Sequence, residues 1–231
     1  MTPTPLTLAH EAPNASSAAV PAAVFHEMLR SRRSIRRFRP GAPPWEVLDR
    51  LFTTAAAAPS AHNRQPWRFV VIDDAHKAVL ARAMGERLAA DRRRDGDAED
   101  AIAHDVARSH ARLIGAPVLI LVCLTLEDAD AYPDPARRQA EFLMAVQGTA
   151  MAAQNLMLAA HAEGLSACWL CAPLFCPDVA QAALGISSHW QSQGLIALGH
   201  AADSGRARPR RPVAAFVAHS ADLAPRQPPA A

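Results

Sequence analysis

Pro59-Ser-Ala-His-Asn-Arg-Gln-Pro-Trp-Arg-Phe-Val-Val-Ile72 is the stretch from which the fold is read. Its first eight residues are turn formers and polar side chains bounded by two prolines, which predicts a rigid loop. Residues 67–72 form an apolar run closed by Asp73-Asp74, which predicts a strand. A loop that enters a buried strand in this way presents backbone N–H and C=O groups at a fixed edge. Asn63 and Gln65 can each donate and accept hydrogen bonds, as the edge of a heterocyclic ligand requires. An ordinary surface loop has the same composition.

Upstream, residues 24–30 read as a short helix running into Arg30-Ser-Arg-Arg-Ser-Ile-Arg-Arg-Phe38. Pro43-Pro44 opens a second helix. Its apolar face carries Trp45, Val47, Leu48, Leu51, Phe52 and Ala55, and it stops before Pro59. Downstream, Asp74 is a candidate cap for an alanine-rich, charged stretch reaching Ile114. Asp95-Gly-Asp97 breaks that stretch into two helices exposed on one side. Residues 117–126 are almost unbroken apolar, the pattern of a central strand, and Tyr132-Pro-Asp-Pro135 is a turn. The longest helix spans residues 137–163, with Gly164 as its terminator. It is apolar nearly all round, so it must be covered on several sides, in a core or at a subunit interface. Residues 166–172 read as a strand, 177–184 as a short helix and 193–199 as a last core strand. Residues 206–211 form a basic turn, and 213–218 a short strand or arm. With no internal repeat and no linker, one domain over residues 24–220 is expected between disordered tails, 1–23 and 221–231.

The bulk numbers narrow the function. The 231 residues are 50% hydrophobic with a formal net charge of +2, enough for one large core and no electrostatic case for nucleic acid or a membrane surface. No run reaches the roughly 20 apolar residues of a membrane span, and the N-terminus lacks a secretory pattern, so a cytoplasmic protein is expected. Lys77 is the sole lysine, so single arginines carry little weight and clusters carry more. Cys168-x-x-Cys171 lacks the further ligands a zinc site needs. We read it as a buried strand whose cysteines fill core, and expect no metal. A dinucleotide-binding glycine fingerprint and a Walker loop are both absent.

Four separated pieces converge on one candidate site. Arg32, Arg33, Ser34 and Arg36 offer guanidinium forks and a hydroxyl suited to phosphate, although a solvated basic turn has the same residues. The loop of residues 59–66 is the second piece. On the longest helix, Gln147, Met151, Gln154, Asn155 and Leu158 sit among small residues. A buried amide without a partner costs roughly 1–3 kcal/mol, so Gln147 and Gln154 are expected to meet a cofactor, a neighbouring chain or backbone. The basic run 206–211, following Gly199-His200, can complete an anion site or lie in solvent.

The order of these pieces resembles the nitroreductase family of FMN enzymes. RRSIRRF, APSAHNRQPWRFVVI, AAQNLMLAAHAEGL, CWLC, GLIALGH and RPRRP follow one another over about residues 24–219. Within the family, PSAHNRQPWRFV and WQSQGLIALGH are similar to the reductase domain of the bifunctional enzyme of deazaflavin-coenzyme biosynthesis, here without an attached ligase.

That resemblance implies an α+β fold, with a mixed, mainly antiparallel sheet of four to five strands wrapped by helices in an intertwined homodimer. It implies FMN as cofactor, NAD(P)H as reductant and a small organic acceptor, by alternate binding in one pocket, or a reductase step in deazaflavin-coenzyme biosynthesis. A flavin-binding protein without turnover is the reading from another class. Arg32, Arg33, Ser34 and Arg36 match the phosphate motif, with Arg36 facing toward or away according to the turn, and Arg210 or Arg211 matches the late basic residue. Pro59, Ser60, Ala61 and Asn63 would lie along the flavin. Gln65 would belong to the other subunit's half of the site, and Gln147 would face the ribityl chain or ring. Cys171 and Ala172 would sit beside the ring, and Gly199 near the phosphate end. His62 stands near the ring, as a substrate contact or a plain loop histidine. No acid or base residue is implied, since the flavin performs the chemistry.

Overall fold

A computed structural model describes residues 20–219. The expected tails lie outside these residues except at 20–23, and so does position 220. The chain divides into two compact units, one ending at Arg32 and the other beginning at Arg33. In the first, α1 (Ala22–Ser31) starts at Pro21, whose carbonyl accepts from Val24 N at 3.0 Å. Arg32 follows the helix with extended backbone.

The second unit is built on four antiparallel strands, β1 (Trp67–Ile72), β2 (Val118–Leu124), β3 (Ser166–Leu170) and β4 (Gln191–Gly199), in the order β1-β2-β4-β3. β2 is buried along its whole length, as its unbroken apolar run requires. A parallel bridge between Ser34 and Ala167 sets the basic N-terminal segment against β3 and makes the sheet mixed.

Helices cover both faces. On one side, α2 (Trp45–Ala56) and α5 (Pro135–Ala162) bury Leu48, Leu51, Ala153 and Leu156 against Ile120, Val122 and Ile196. On the other, α3 (Asp74–Arg94) and α6 (Pro177–Leu184) bury Leu80, Met84 and Ala180 against Leu119, Leu121 and Leu195. The break at Asp95-Gly-Asp97 separates α3 from α4 (Glu99–Ile114) as expected; Gly96, at φ 85°, turns the chain there. Gly164, at φ 74°, ends α5.

Several expectations are corrected. Asp73, not Asp74, caps α3, accepting from His76 N at 2.8 Å; Asp74 instead accepts from Lys77 Nζ at 2.9 Å. Trp45 is exposed, because the apolar face of α2 turns on Leu48, Leu51 and Ala55. β3 stops at Leu170, since the chain bends at Cys171 into a single 3-10 turn, Ala172–Phe175. Residues 213–218 form no strand; Val213–Ala215 is a 3-10 turn.

Candidate functional site

The Arg-rich segment after α1 is fastened to the far end of the chain. Ile35 N donates to Ala167 O at 3.3 Å, Arg39 N to His200 O at 2.8 Å and Ala202 N to Arg37 O at 3.0 Å. Arg37 Nε pairs with Asp203 Oδ2 at 2.7 Å. The backbone of Gly205 passes so close that a Cβ there would stand 3.4 Å from Arg33 Cβ. This zipper leads directly into the exposed run Arg206–Arg211. Arg33 and Ile35 thus lie against Gly205, five residues before Arg210.

Gly199 is a close-packing position. A Cβ there would lie 2.8 Å from Pro117 Cγ and 3.3 Å from Phe38 Cδ1, so this glycine lets the proline ring and the Phe38 segment close on β4.

The loop before β1 is held under strain. His62, Asn63 and Gln65 have φ of 51°, 53° and 48°, a region that side chains other than glycine rarely occupy. Internal bonds fix it. Gln65 N donates to Ser60 Oγ at 3.0 Å, and Gln65 Nε2 to Asn63 Oδ1 at 3.4 Å. Arg64 turns inward to Glu141 Oε2 at 2.5 Å and to Asp130 Oδ2 at 2.7 Å. Its pKa is raised, first by the Asp130 hydrogen bond, against the effect of burial. Gly148 of α5 brings the helix against Pro59 and Ser60, where a Cβ would meet Ser60 Cβ at 3.3 Å. Ala61 is half-buried, and His62, Asn63 and Gln65 face outward.

Gln147 and Gln154 are exposed in the single chain. Both lie on an exposed face of α5 with Leu143 and Met151, which are 48% and 40% exposed in the single chain. Cys168 is buried as read, whereas Cys171 lies past the strand end and is exposed.

At that strand end a cavity of about 270 Å³ opens, lined by Arg36, Ser109, Arg112, Trp169, Leu170, Cys171 and Ala172. It unites residues 36 and 171–172 with α4, whose part in the site the sequence reading missed. Burial, followed by the Arg108 and Arg36 guanidiniums, lowers the Arg112 pKa. Arg108 has a carboxylate, Asp105 Oδ1 at 2.5 Å. Arg112 has none among the described residues. A signal existed: Arg108 and Arg112 are like charges at i, i+4, an unfavourable pairing on a helix without another purpose.

An antiparallel sheet with helices on both faces is the α+β arrangement of the nitroreductase-like fold. The family model described as nitroreductase family matches residues 29–200, and the chain belongs to that family. It is 30% identical over 211 residues to an NADH dehydrogenase of Thermus thermophilus, covering 80% of this chain and 91% of that one. It is also 30% identical over 145 residues to a Methanothermobacter thermautotrophicus protein named for NADH dehydrogenase and NAD(P)H nitroreductase, covering 62% of this chain and spanning 58% of that relative's length. The crystal structure of a Desulfovibrio desulfuricans nitroreductase in complex with FMN superposes with a TM-score of 0.66 at 28% identity, over 84% of this chain and 95% of that one. Among the described residues no helix is long and apolar enough to cross a membrane.

Proposed function

We propose that the protein is an FMN-dependent oxidoreductase that takes a hydride from NAD(P)H and delivers it to a small organic acceptor, the two substrates binding alternately. The observation that carries this reading is the convergence of Arg36 and Arg112 on one cavity, with Arg112 lacking an acidic partner among the described residues. Two guanidiniums brought together with no carboxylate partner among the described residues are costly unless a ligand supplies negative charge. The lining suits a planar ring with a polar edge: Trp169 and Leu170 of β3, Cys171 and Ala172 at the strand end, and Ser109 of α4. The isoalloxazine of FMN fits this donor set, and the volume is close to the lower bound for ligand pockets, about 300 Å³.

When bound, FMN would accept and release a hydride at N5. The protein's residues do the rest. Arg36 and Arg112 favour the extra negative charge that reduction places on the ring's pyrimidine side. Arg33, Ser34 and Arg210 or Arg211 grip the phosphate. Pro59, Ser60, Ala61 and Asn63 lie along the ring, and His62 contacts substrate. Family membership and the FMN complex of the Desulfovibrio relative support the assignment.

We further infer a homodimer. The Leu143, Gln147, Met151 and Gln154 face of α5 and the C-terminal segment with Phe216, 69% exposed, are apolar enough to seek a second copy. Gln65 and Gln147 would then serve a site shared by two chains. A pyridine-nucleotide reductant accords with a cytoplasmic location.

The test is anaerobic mixing of the purified protein with NADPH or NADH, followed by a nitroaromatic or quinone. Bleaching of the flavin colour and its return on adding acceptor support the reading. Flavin that stays oxidised with both nucleotides leaves a binding protein and overturns the enzyme assignment. The likeness of residues 59–70 and 190–200 to the deazaflavin-pathway reductase supports a second reading, in which a dehydro-deazaflavin precursor is the acceptor. Faster return of colour with that precursor than with the nitroaromatic would favour it.

A further inference from the structure

A second, smaller cavity of about 100 Å³ adjoins the one lined by Arg36 and Arg112. Ser109 and Ala172 line both. Ser109 and Arg112 are three residues apart on α4, hence on one face of the helix, so α4 runs along the two cavities in turn. The apolar lining of the smaller one comes from Met84 and Leu88 of α3 and from Ala172, Phe175 and Cys176 around the 3-10 turn that follows β3.

Its chemistry differs from that of its neighbour. Its one cation, Arg87, is already paired, with Nε 3.0 Å from Asp91 Oδ2 and Nη1 3.1 Å from Asp178 Oδ2, so the site does not call for an anion. Burial raises the Cys176 pKa, and the thiol is neutral at physiological pH. Met84 is buried, and a methionine thioether makes favourable contacts with aromatic rings. Phe175 is 76% exposed and marks the solvent side. The Ser109 hydroxyl, where the two cavities meet, can donate to an acceptor oxygen. A dry apolar cavity of about 150 Å³ takes a benzene molecule. The present one, open beside Phe175, has room for one ring and not for two fused rings.

We propose that this cavity is the acceptor subsite: it holds a single aromatic ring bearing a nitro group, with that group directed past Ser109 and Ala172 toward the cofactor cavity. This rests on the proposed function, whose acceptor it narrows to one-ring aromatics. The nitro group takes a hydride from the reduced flavin and a proton from solvent, and becomes a nitroso group with release of one water molecule.

The test has a binding arm and a kinetic arm. In the first, the protein carries methionine labelled with carbon-13 at the methyl group, and Met84→Leu identifies the Met84 resonance. Nitrobenzene added without reductant should shift that resonance by ring current in the wild type and not in Leu88→Phe, where a larger side chain fills the cavity. In the second, kcat/KM with NADPH is measured for nitrobenzene and nitronaphthalene on the FMN-loaded protein. The ratio of the two should fall about tenfold in Phe175→Ala, which opens room for a second ring, and the KM for nitrobenzene should rise about tenfold in Leu88→Phe. FMN affinity should stay within about twofold of the wild type in both variants, because neither residue lines the Arg36–Arg112 cavity. Should Leu88→Phe fail to fold, the Met84 shift in the wild type and the ratio in Phe175→Ala still decide. An unmoved Met84 resonance, an unchanged ratio in Phe175→Ala, or a loss of FMN affinity in place of these effects overturns this inference while the proposed function stands. FMN-loaded wild type whose flavin neither nucleotide reduces overturns the proposed function, and the acceptor subsite with it.

Discussion

Arg37 and Asp203, 166 residues apart in sequence, are joined by an ion pair of 2.7 Å that closes the N-terminal basic segment onto the turn leading to Arg206–Arg211. Asp203 also accepts from Gly205 N at 2.9 Å, so one carboxylate organises both segments of the proposed phosphate site. The pair is largely solvent-exposed on the Arg37 side, so its value to global stability is small and its value to local geometry is larger. Asp203→Ala should lower FMN affinity severalfold while leaving the thermal midpoint nearly unchanged, as titration and calorimetry would show. A large drop in the midpoint without loss of affinity would contradict this.

The same carboxylate has a pH signature. The Arg37 hydrogen bond, then that of Gly205 N, holds the Asp203 pKa below its usual value. A group depressed on folding contributes fully above its unfolded pKa, about 3.9, and loses that contribution as pH falls through the folded value. The wild type should therefore lose more FMN affinity than Asp203→Asn when pH is lowered into this acid range. Parallel losses in the two proteins would sink the idea.

Arg64 reaches from the strained loop to Glu141, which is only 7% exposed. Removing the cation strands that carboxylate beside α5 and frees a loop that holds three residues at positive φ. Arg64→Met should reduce the thermal midpoint by several degrees and also weaken FMN. Arg64→Lys, which keeps charge but not the fork, should recover only part of each.

Arg112 carries the reverse balance, because burial and its arginine neighbours disfavour its charge. Arg112→Met should leave the urea midpoint of the apoprotein unchanged or higher, and yet weaken FMN. It should also make the flavin harder to reduce, by about 30 mV for each tenfold preference lost. An apoprotein clearly destabilised by this change would count against a ligand-directed role.

The cysteines should separate by reactivity. Burial pushes the Cys123 thiol up to about 11, only partly offset by the neighbouring Ser192, and burial raises Cys176 as well. Cys171 is exposed at the cavity mouth. Alkylation at mildly alkaline pH should mark Cys171 first, and added FMN should slow it. Mass spectrometry showing equal labelling of Cys123, or no protection of Cys171, would contradict the arrangement.

Much of the fold could be read from residues alone, because local chemistry and tertiary context agreed. Trp67–Ile72 is a strand, Asp95-Gly-Asp97 breaks α3 from α4, and Pro177–Leu184 is a helix. The site was only half legible. The sequence singles out Arg36, Cys171 and Ala172, whereas Ser109 and Arg112 are two residues of a long charged stretch with nothing local to mark them. Periodicity does not show which exposed charges turn toward a strand end. Cys171 was assigned to core because a strand pattern runs on to Ala172; the bend after Leu170 depends on Pro173 opening a 3-10 turn. The apolar character of α5 calls for cover on several sides, and a single chain leaves the face of Gln147 and Gln154 open.

The most direct test of the central claim is calorimetric titration of apoprotein with FMN, for the wild type and for Arg36→Ala combined with Arg112→Ala. The account predicts saturation at one FMN per chain for the wild type, and affinity lower by at least about 100-fold in the variant, as loss of two charge-assisted contacts implies. Wild-type affinity in the variant, or no uptake by the wild type, would contradict it.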